Sequence, residues 1–584
     1  MFLPIGLQYG GTAGSILNQS RATNSSGQRV GLQVQAGRTL ALVGGDVRLD
    51  GGRLDALGGR VEVGGVAGTG TVGLSVNDNN LGLSFGNGVA RADVSLTNSS
   101  RVNVRSGGGG SIAINARNIE VLGKSRVFSE IGPDLGSVGA QAGDITLNAT
   151  QSTIIEQSII QNDVNRGAIG SAGNINITAL SLSLRDQSLV STSTAGQGDA
   201  GNLSLQVDGS VSKAGGSAIV SGVFLLSRGN GGNIDIQARS LSLTDGSEVL
   251  AWTFGAGNTG NIQVKASEFI NLSGVSPTRI DPAPHVGVTS GFSSGLFTST
   301  EQGASGEGGN IQVTTNALGL SDGAVLSART VNAFRGGDIF VDANTLNLTG
   351  GGQILTTAYS SGRAGNITVN AADSITLAGS DPTYSERLEQ FGRLVVDNDG
   401  PASAMSARSE GALAAGSLSV TTGQLRVQDG ALVTVSGEEL ANAGNLQVPA
   451  RNLRLDNFAA LTAESVSGSG GNIALFVGDL LLLRRNSRIS NTAGNAQIGG
   501  NGGNLSINTK AIAAVPSENS DISTNAFTGT GGNIQIKAEA GIFGTEFRYQ
   551  LTPLSDIVAS GTIELNTLTV DPSFTLTDLP TGAR

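Results

Sequence analysis

The chain contains no cysteine, one histidine, one tryptophan and four tyrosines in 584 residues. Without a thiol there is neither a disulfide framework nor a thiolate metal site. The absence also suits a chain that crosses an oxidising compartment unfolded, where wrong disulfides would trap it. Aromatic residues make up 4% of the chain and charged residues 14%, the latter about half the usual share. Few large side chains are therefore available to fill a thick globular core. Lys and Arg number 35 against 46 Asp and Glu, for a net charge of −11, and no basic run is longer than Arg484-Arg485. Binding of nucleic acid needs clustered cations and stacking aromatics, so no nucleic-acid partner is expected. No run of eighteen apolar residues exists, so no membrane span is expected. The opening MFLPIGLQYGG has no basic region, and its apolar run is too short for a signal peptide.

What the chain has instead is glycine, 89 residues of it, about twice the usual share, and a dense alternation of Val, Ile and Leu that a disordered chain would lack. Stepping along Gly-Asn-Ile gives a ladder. Asn174, Asn202, Asn233, Asn261, Asn310, Asn366, Asn445, Asn472, Asn504 and Asn533 each follow Gly and precede Ile or Leu. Asp144 and Asp338 take the same place, as do Ser111, Ser417 and Thr562. Most spacings fall between 27 and 33 residues, and two longer ones, 49 and 51, mark insertions. A fixed period of this size signals a solenoid or an array.

Within each unit the apolar period is 2. In NIDIQA, Ile234 and Ile236 share a face; in SLSLTDGS, Leu241 and Leu243 do the same, and Val249 follows a turn at Asp245-Gly246. Three short strands per unit cannot bury their apolar face alone, whereas stacking the units does bury it. A β-propeller would want antiparallel hairpins and a repeat nearer 40–50 residues. The expected fold is all-β: a right-handed parallel β-helix (solenoid) with about 28-residue coils and two loop insertions. Fifteen such units at ~4.8 Å per coil make a shaft of roughly 70 Å. The pattern divides the chain into an N-terminal extension (1–27), shorter irregular coils (28–110), the main repeats (111–565) and a C-terminal tail (566–584). The insertions are 275–305, which holds the lone His285, and 380–412, which contains a possible short helix. Loops that leave a regular coil are the expected places for recognition.

Gly-Gly-Asn reads as corner chemistry, because Gly takes backbone angles closed to other residues and Asn tolerates the left-handed region. Stacked corners would also align the ten asparagines in a ladder along the axis. Alternation points Asn233 away from the core, opposite Ile234, so an inward ladder requires the corner to break that alternation. Some β-helices are polysaccharide lyases or hydrolases, which need carboxylates and basic groups converging on one face. The acidic residues here are dispersed, mostly at turns: Asp46, Asp50, Asp245, Asp322, Asp429. No calcium-type repeat or phosphate loop is present. No catalytic, cofactor or metal site is expected, and three or more such groups converging in one groove would favour the enzyme.

The stretch FLPIGLQYGGTAGSILNQS followed by LQVQAGRTLALVGGDVRLDGGRLDALGGRVEVGGV resembles the segment that follows the secretion domain in filamentous haemagglutinin-like exoproteins of two-partner secretion systems, of the cyanobacterial type. AGNITVNAADSITLAGS, GGNIDIQARSLSLTDGS and the tail VDPSFTLTDLP are similar to that family's repeats and carboxyl end. The resemblance implies a β-helical filament, extracellular or on the outer cell surface, exported through an outer-membrane pore-type transporter. It implies adhesion or cell–cell contact through an unknown surface glycan or protein ligand. The alternatives are a carbohydrate-active β-helix enzyme and a passive cell-envelope structural protein. The Asn-Pro-Asn-type motif and a signal peptide are not found, so the amino-terminal secretion domain is expected to be absent. Its loss would leave a strand edge open near residue 30.

Overall fold

A computed structural model describes residues 5–567 except 24, 26, 28, 78–79, 87, 277–291, 393–395 and 495–498. His285 and nearly all of the expected tail lie outside the described residues. The chain winds into a parallel β-solenoid of about 18 turns with a spacing near 29 residues, which at ~4.8 Å per coil gives a shaft of about 85 Å. Each coil has three faces. In the coil that begins at Ile234, the strand Ile234–Thr244 bends at a register shift between Ala238 and Ser240, so it supplies the first and second faces. Glu248–Thr253 supplies the third.

The coils stack in register, so equivalent apolar residues form columns. On the first face Ile175, Leu203, Ile234 and Ile262 are successive partners, and the series runs on through Leu505 and Ile534 to Ile563. On the third face Val249, Leu296, Leu326, Ile354 and Met405 follow one another. Except for Ile563, which is partly buried against the core, these side chains are fully buried and belong to one continuous core. Alternation along each strand (apolar inward, Ser, Thr, Gln or Asn outward) is thus repeated until a thin core becomes a long one.

Two corners of the coil use glycine differently. Between the second and third faces, two successive residues take left-handed angles: Asp245 and Gly246 (φ 56° and 73°), Asp322 and Gly323 (55° and 80°), Asp429 and Gly430 (57° and 78°). Asp and Gly are the residues that tolerate that region. The Gly-Gly-Asn corner leads into the first face, and there the expected reason does not hold. Gly231, Gly232 and Asn233 are not among the residues with positive φ. Glycine is required there by the coil below. A Cβ on Gly232 would meet the carbonyl oxygen of Gly201, and one on Gly260 that of Gly232, well inside the 3.0 Å below which Cβ atoms are not found. The same approach repeats coil by coil from Gly309 through Gly532.

The first strand on the stack is Ile16–Asn18, paired with Val47–Leu49, within the stretch expected to be an extension. Residues 295–300 and 404–409, inside the two expected insertions, are regular third-face strands. The excursions are therefore shorter than the expected bounds of 275–305 and 380–412.

Candidate functional site

The ten asparagines lie on the outside of the shaft. Each carboxamide oxygen accepts the backbone N–H of the equivalent residue one coil on. The bonds run without a gap from Asp144 through Asn174 (2.8 Å), Asn202 (3.0 Å), Asn233 (2.8 Å), Asn261 (2.9 Å), Asn310 (2.8 Å), Asp338 (2.8 Å) and Asn366 (2.7 Å) to Ser417 (2.9 Å). The ladder pauses at Ser417, whose hydroxyl is too short to span a coil. It resumes from Asn445 through Asn472 (3.1 Å), Asn504 (3.0 Å) and Asn533 (3.2 Å) to Thr562 (2.9 Å). These side chains satisfy backbone donors that the corner would otherwise leave without a partner. A second, parallel ladder lies three residues upstream: Asp199 accepts from Asn230 (2.7 Å), Asn230 from Asn258 (3.1 Å) and Asn258 from Glu307 (2.9 Å). Its signal, the Gly-Asn-x-Gly-Asn step at 229–233 and 257–261, stands in the sequence but passes for part of the first.

Charge gathers where the second excursion folds back. The helix Tyr384–Phe391 is anchored by buried Arg387, paired with Asp381 at 2.6 Å and bonded to Asn398 at 3.1 Å. Asn398 in turn donates to the corner carbonyl of Gly323 (3.2 Å). The segment then delivers Asp397 and Asp399 to the outer side of the third face. Arg329 lies between Glu301 (2.7 Å) and Asp397 (3.6 Å). Arg408 reaches Asp399 (3.9 Å), Glu410 (3.1 Å) and Glu438. Asp399 also accepts from Thr357 (3.0 Å) and Tyr359 (3.3 Å). Burial pushes the Asp397 carboxyl up to about 6, against the pull of Arg329 and with the help of Glu301. Burial, aided by Asp397, takes Glu248 to about 8. Burial alone would lower Arg329; Glu301 and Asp397 hold it above its ordinary value. Residues more than a hundred positions apart in sequence thus converge, which the dispersed acidic residues did not suggest. The carboxylates around Arg329 and Arg408 are engaged in pairs, and the arrangement holds the excursion on the shaft.

At the amino-terminal end, Gly6–Tyr9 pairs antiparallel with Gly70–Asn77, which pairs with Asn80–Ser84. This small sheet is fastened to the first coils. The buried Glu62 carboxylate takes Arg60 (2.6 Å) and the Leu83 N–H (3.2 Å), and Thr39 takes the Leu81 N–H (2.8 Å). Burial raises the Glu62 carboxyl above its usual range. The ring of Phe85 packs on Gly64, where a Cβ would collide with it.

Fold and end cap together define a long repetitive parallel β-solenoid with a capped amino-terminal end. Residues 1–114 match the family model of the TPS secretion domain. Match and solenoid together fit a two-partner secretion exoprotein such as filamentous haemagglutinin, and the domain implies an outer-membrane transporter as partner. No curated protein matches the chain. The expectation that the secretion domain is absent is therefore corrected. Its absence was inferred from two short motifs, whereas the match spans the first coils and the small antiparallel sheet. The edge expected to be open near residue 30 belongs to this domain. Among the described residues no helix is long and apolar enough to cross a membrane.

Proposed function

We propose that the chain is the shaft of an exoprotein on the outer cell surface and that it mediates adhesion or cell–cell contact, with a surface glycan or protein as ligand. The observation that carries this reading is the secretion-domain match at one end of an unbroken stack of about 18 coils. Stacking identical units adds length at low cost in new sequence, and length sets a recognition surface away from a membrane. The reading is tested by expressing the chain, fused to a signal peptide, with and without an outer-membrane transporter of the two-partner type. Surface exposure should depend on the transporter, and beads coated with the purified chain should bind cells. Export without cell binding would leave the passive envelope role.

A carbohydrate-active enzyme is the second reading, favoured by one observation: Asp397, a carboxyl raised to about 6, beside Glu301 and Arg329. Release of reducing ends from acidic polysaccharides, lost in Asp397→Asn, would support it.

A further inference from the structure

The outer side of the third face carries a different kind of charge in its early coils. Arg53, Arg101 and Arg126 are direct partners in successive parallel strands, so their backbones are separated by one coil each, ~4.8 Å. Two positions further along the same strands, Asp55, Asn103 and Phe128 form the neighbouring column. The Phe128 ring is buried beneath three guanidinium groups, those of Arg126 (4.5 Å), Arg101 (5.2 Å) and Arg105 (5.5 Å).

These cations are not neutralised as those around Arg329 are. Arg105 is paired with Glu130. Arg53 donates to the carbonyl of Arg29 at 2.8 Å. Among the described residues neither the Arg101 nor the Arg126 side chain has a hydrogen-bond or ion-pair partner, and the Arg101 Nε is a buried donor left unsatisfied. Cation–π contact with one ring accounts for the cover over Phe128, not for the excess charge. Burial holds Arg101 below its ordinary value; Asp55 opposes that shift, and Arg105, Arg53 and Arg126 add to it. Like charges at this separation repel by about 1 kcal/mol per pair even in water. In a chain of net charge −11, three arginines stacked in a row make sense as a site whose missing counter-charge comes from outside.

We propose that the Arg53–Arg101–Arg126 row binds the carboxylate or sulfate groups of an acidic polysaccharide laid along the shaft. The planar guanidinium fork matches a carboxylate or sulfate with two parallel bonds. The row also sets a spacing. An extended acidic peptide repeats its same-side groups every two residues, about 6.6 Å, and falls out of step with the coils. In a two-fold glycan alternate sugars present their acid groups to the same side, so those groups recur about every two coils, in step with Arg53 and Arg126. The site is a property of the early coils and stands whether or not the shaft is an adhesin.

The test uses the whole chain and titrates oligogalacturonate, a sulfated oligosaccharide, a neutral cello-oligosaccharide and poly-glutamate at low and moderate salt. The acidic glycans should bind and weaken with salt, and the neutral one should not bind. Arg101→Gln/Arg126→Gln should lose at least ten-fold in affinity. Arg451→Gln, which removes an exposed arginine paired with Asp479, should lose none. Thermal unfolding supplies a second readout for Arg126→Gln, an exposed position. Sulfate, compared with chloride at equal ionic strength, should raise the transition of the unmodified chain and not that of the variant. Without sulfate, the variant should be at least as stable, because it relieves repulsion. Undiminished glycan binding by the double variant overturns the proposal, as does tighter binding of poly-glutamate than of either acidic glycan, or a variant destabilised equally with and without sulfate.

Discussion

Gly337, beside Asp338, and Gly430, beside Asp429, look alike in the sequence, yet the fold uses them in unlike ways. Gly430 has φ 78° and open space around its Cα. It is glycine because of its own backbone angle. Gly337 is not among the positive-φ glycines, and a Cβ there would strike the carbonyl of Gly309 one coil below. It is glycine because of its neighbour. In a solenoid, one corner is thus governed by local conformation and the other by the distance between coils, and only the first can be reasoned out from a single repeat.

Equilibrium unfolding breaks or sharpens this contrast. Gly337→Ala should cost the most, about 3 kcal/mol or more, because the clash is backbone on backbone and the coils must part to admit it. The benchmark is Ile354→Ala, a fully buried member of the third-face column, expected near 3 kcal/mol from lost burial and a cavity. Gly430→Ala should cost about 1 kcal/mol, the price of a left-handed residue with a Cβ and nothing more. Asn261→Ala removes one exposed link, whose oxygen accepts the Asn310 N–H at 2.8 Å, and should cost about 0.5 kcal/mol. A cost for Asn261→Ala equal to that of Gly337→Ala would mean that the ladder, not the glycine column, sets the coil spacing.

The charged groups give a separate, pH-dependent handle. Asp163 accepts bonds from Gln161, Ser191 and the Ser193 N–H, yet burial, reinforced by Glu130, raises its carboxyl from 3.8 to about 8. A carboxyl raised on folding stabilises the fold while protonated, so its contribution is present below about pH 4 and is lost as the pH climbs towards 8. Stability should therefore fall across that window, and Asp163→Asn should flatten the slope. A slope unchanged in Asp163→Asn would show that this carboxyl does not titrate in the window.

The period-2 pattern of Ile234, Ile236, Leu241 and Leu243 made the strands, the three faces and the parallel stack legible in the sequence, because alternation and coil length are properties of one repeat. The outward direction of Asn233 was legible for the same reason. What depends on the next coil was not. The glycine column requires knowing how closely carbonyls approach. The Arg53–Arg101–Arg126 row joins residues 48 and 25 positions apart, and a register sets that spacing, not a motif. The cluster around Arg329 needs the fold-back of the second insertion, where the sequence offered only a short helix and no sign of which strands it returns to. The secretion domain escaped because it is built of the same coils as the shaft.

The most direct test of the two-corner account is to place asparagine at each glycine and compare urea unfolding. Asn tolerates left-handed angles but carries a Cβ. The account predicts that Gly430→Asn stays within about 0.5 kcal/mol of the unmodified chain, while Gly337→Asn is destabilised at least as much as Gly337→Ala. Equal, small losses at both positions would contradict it.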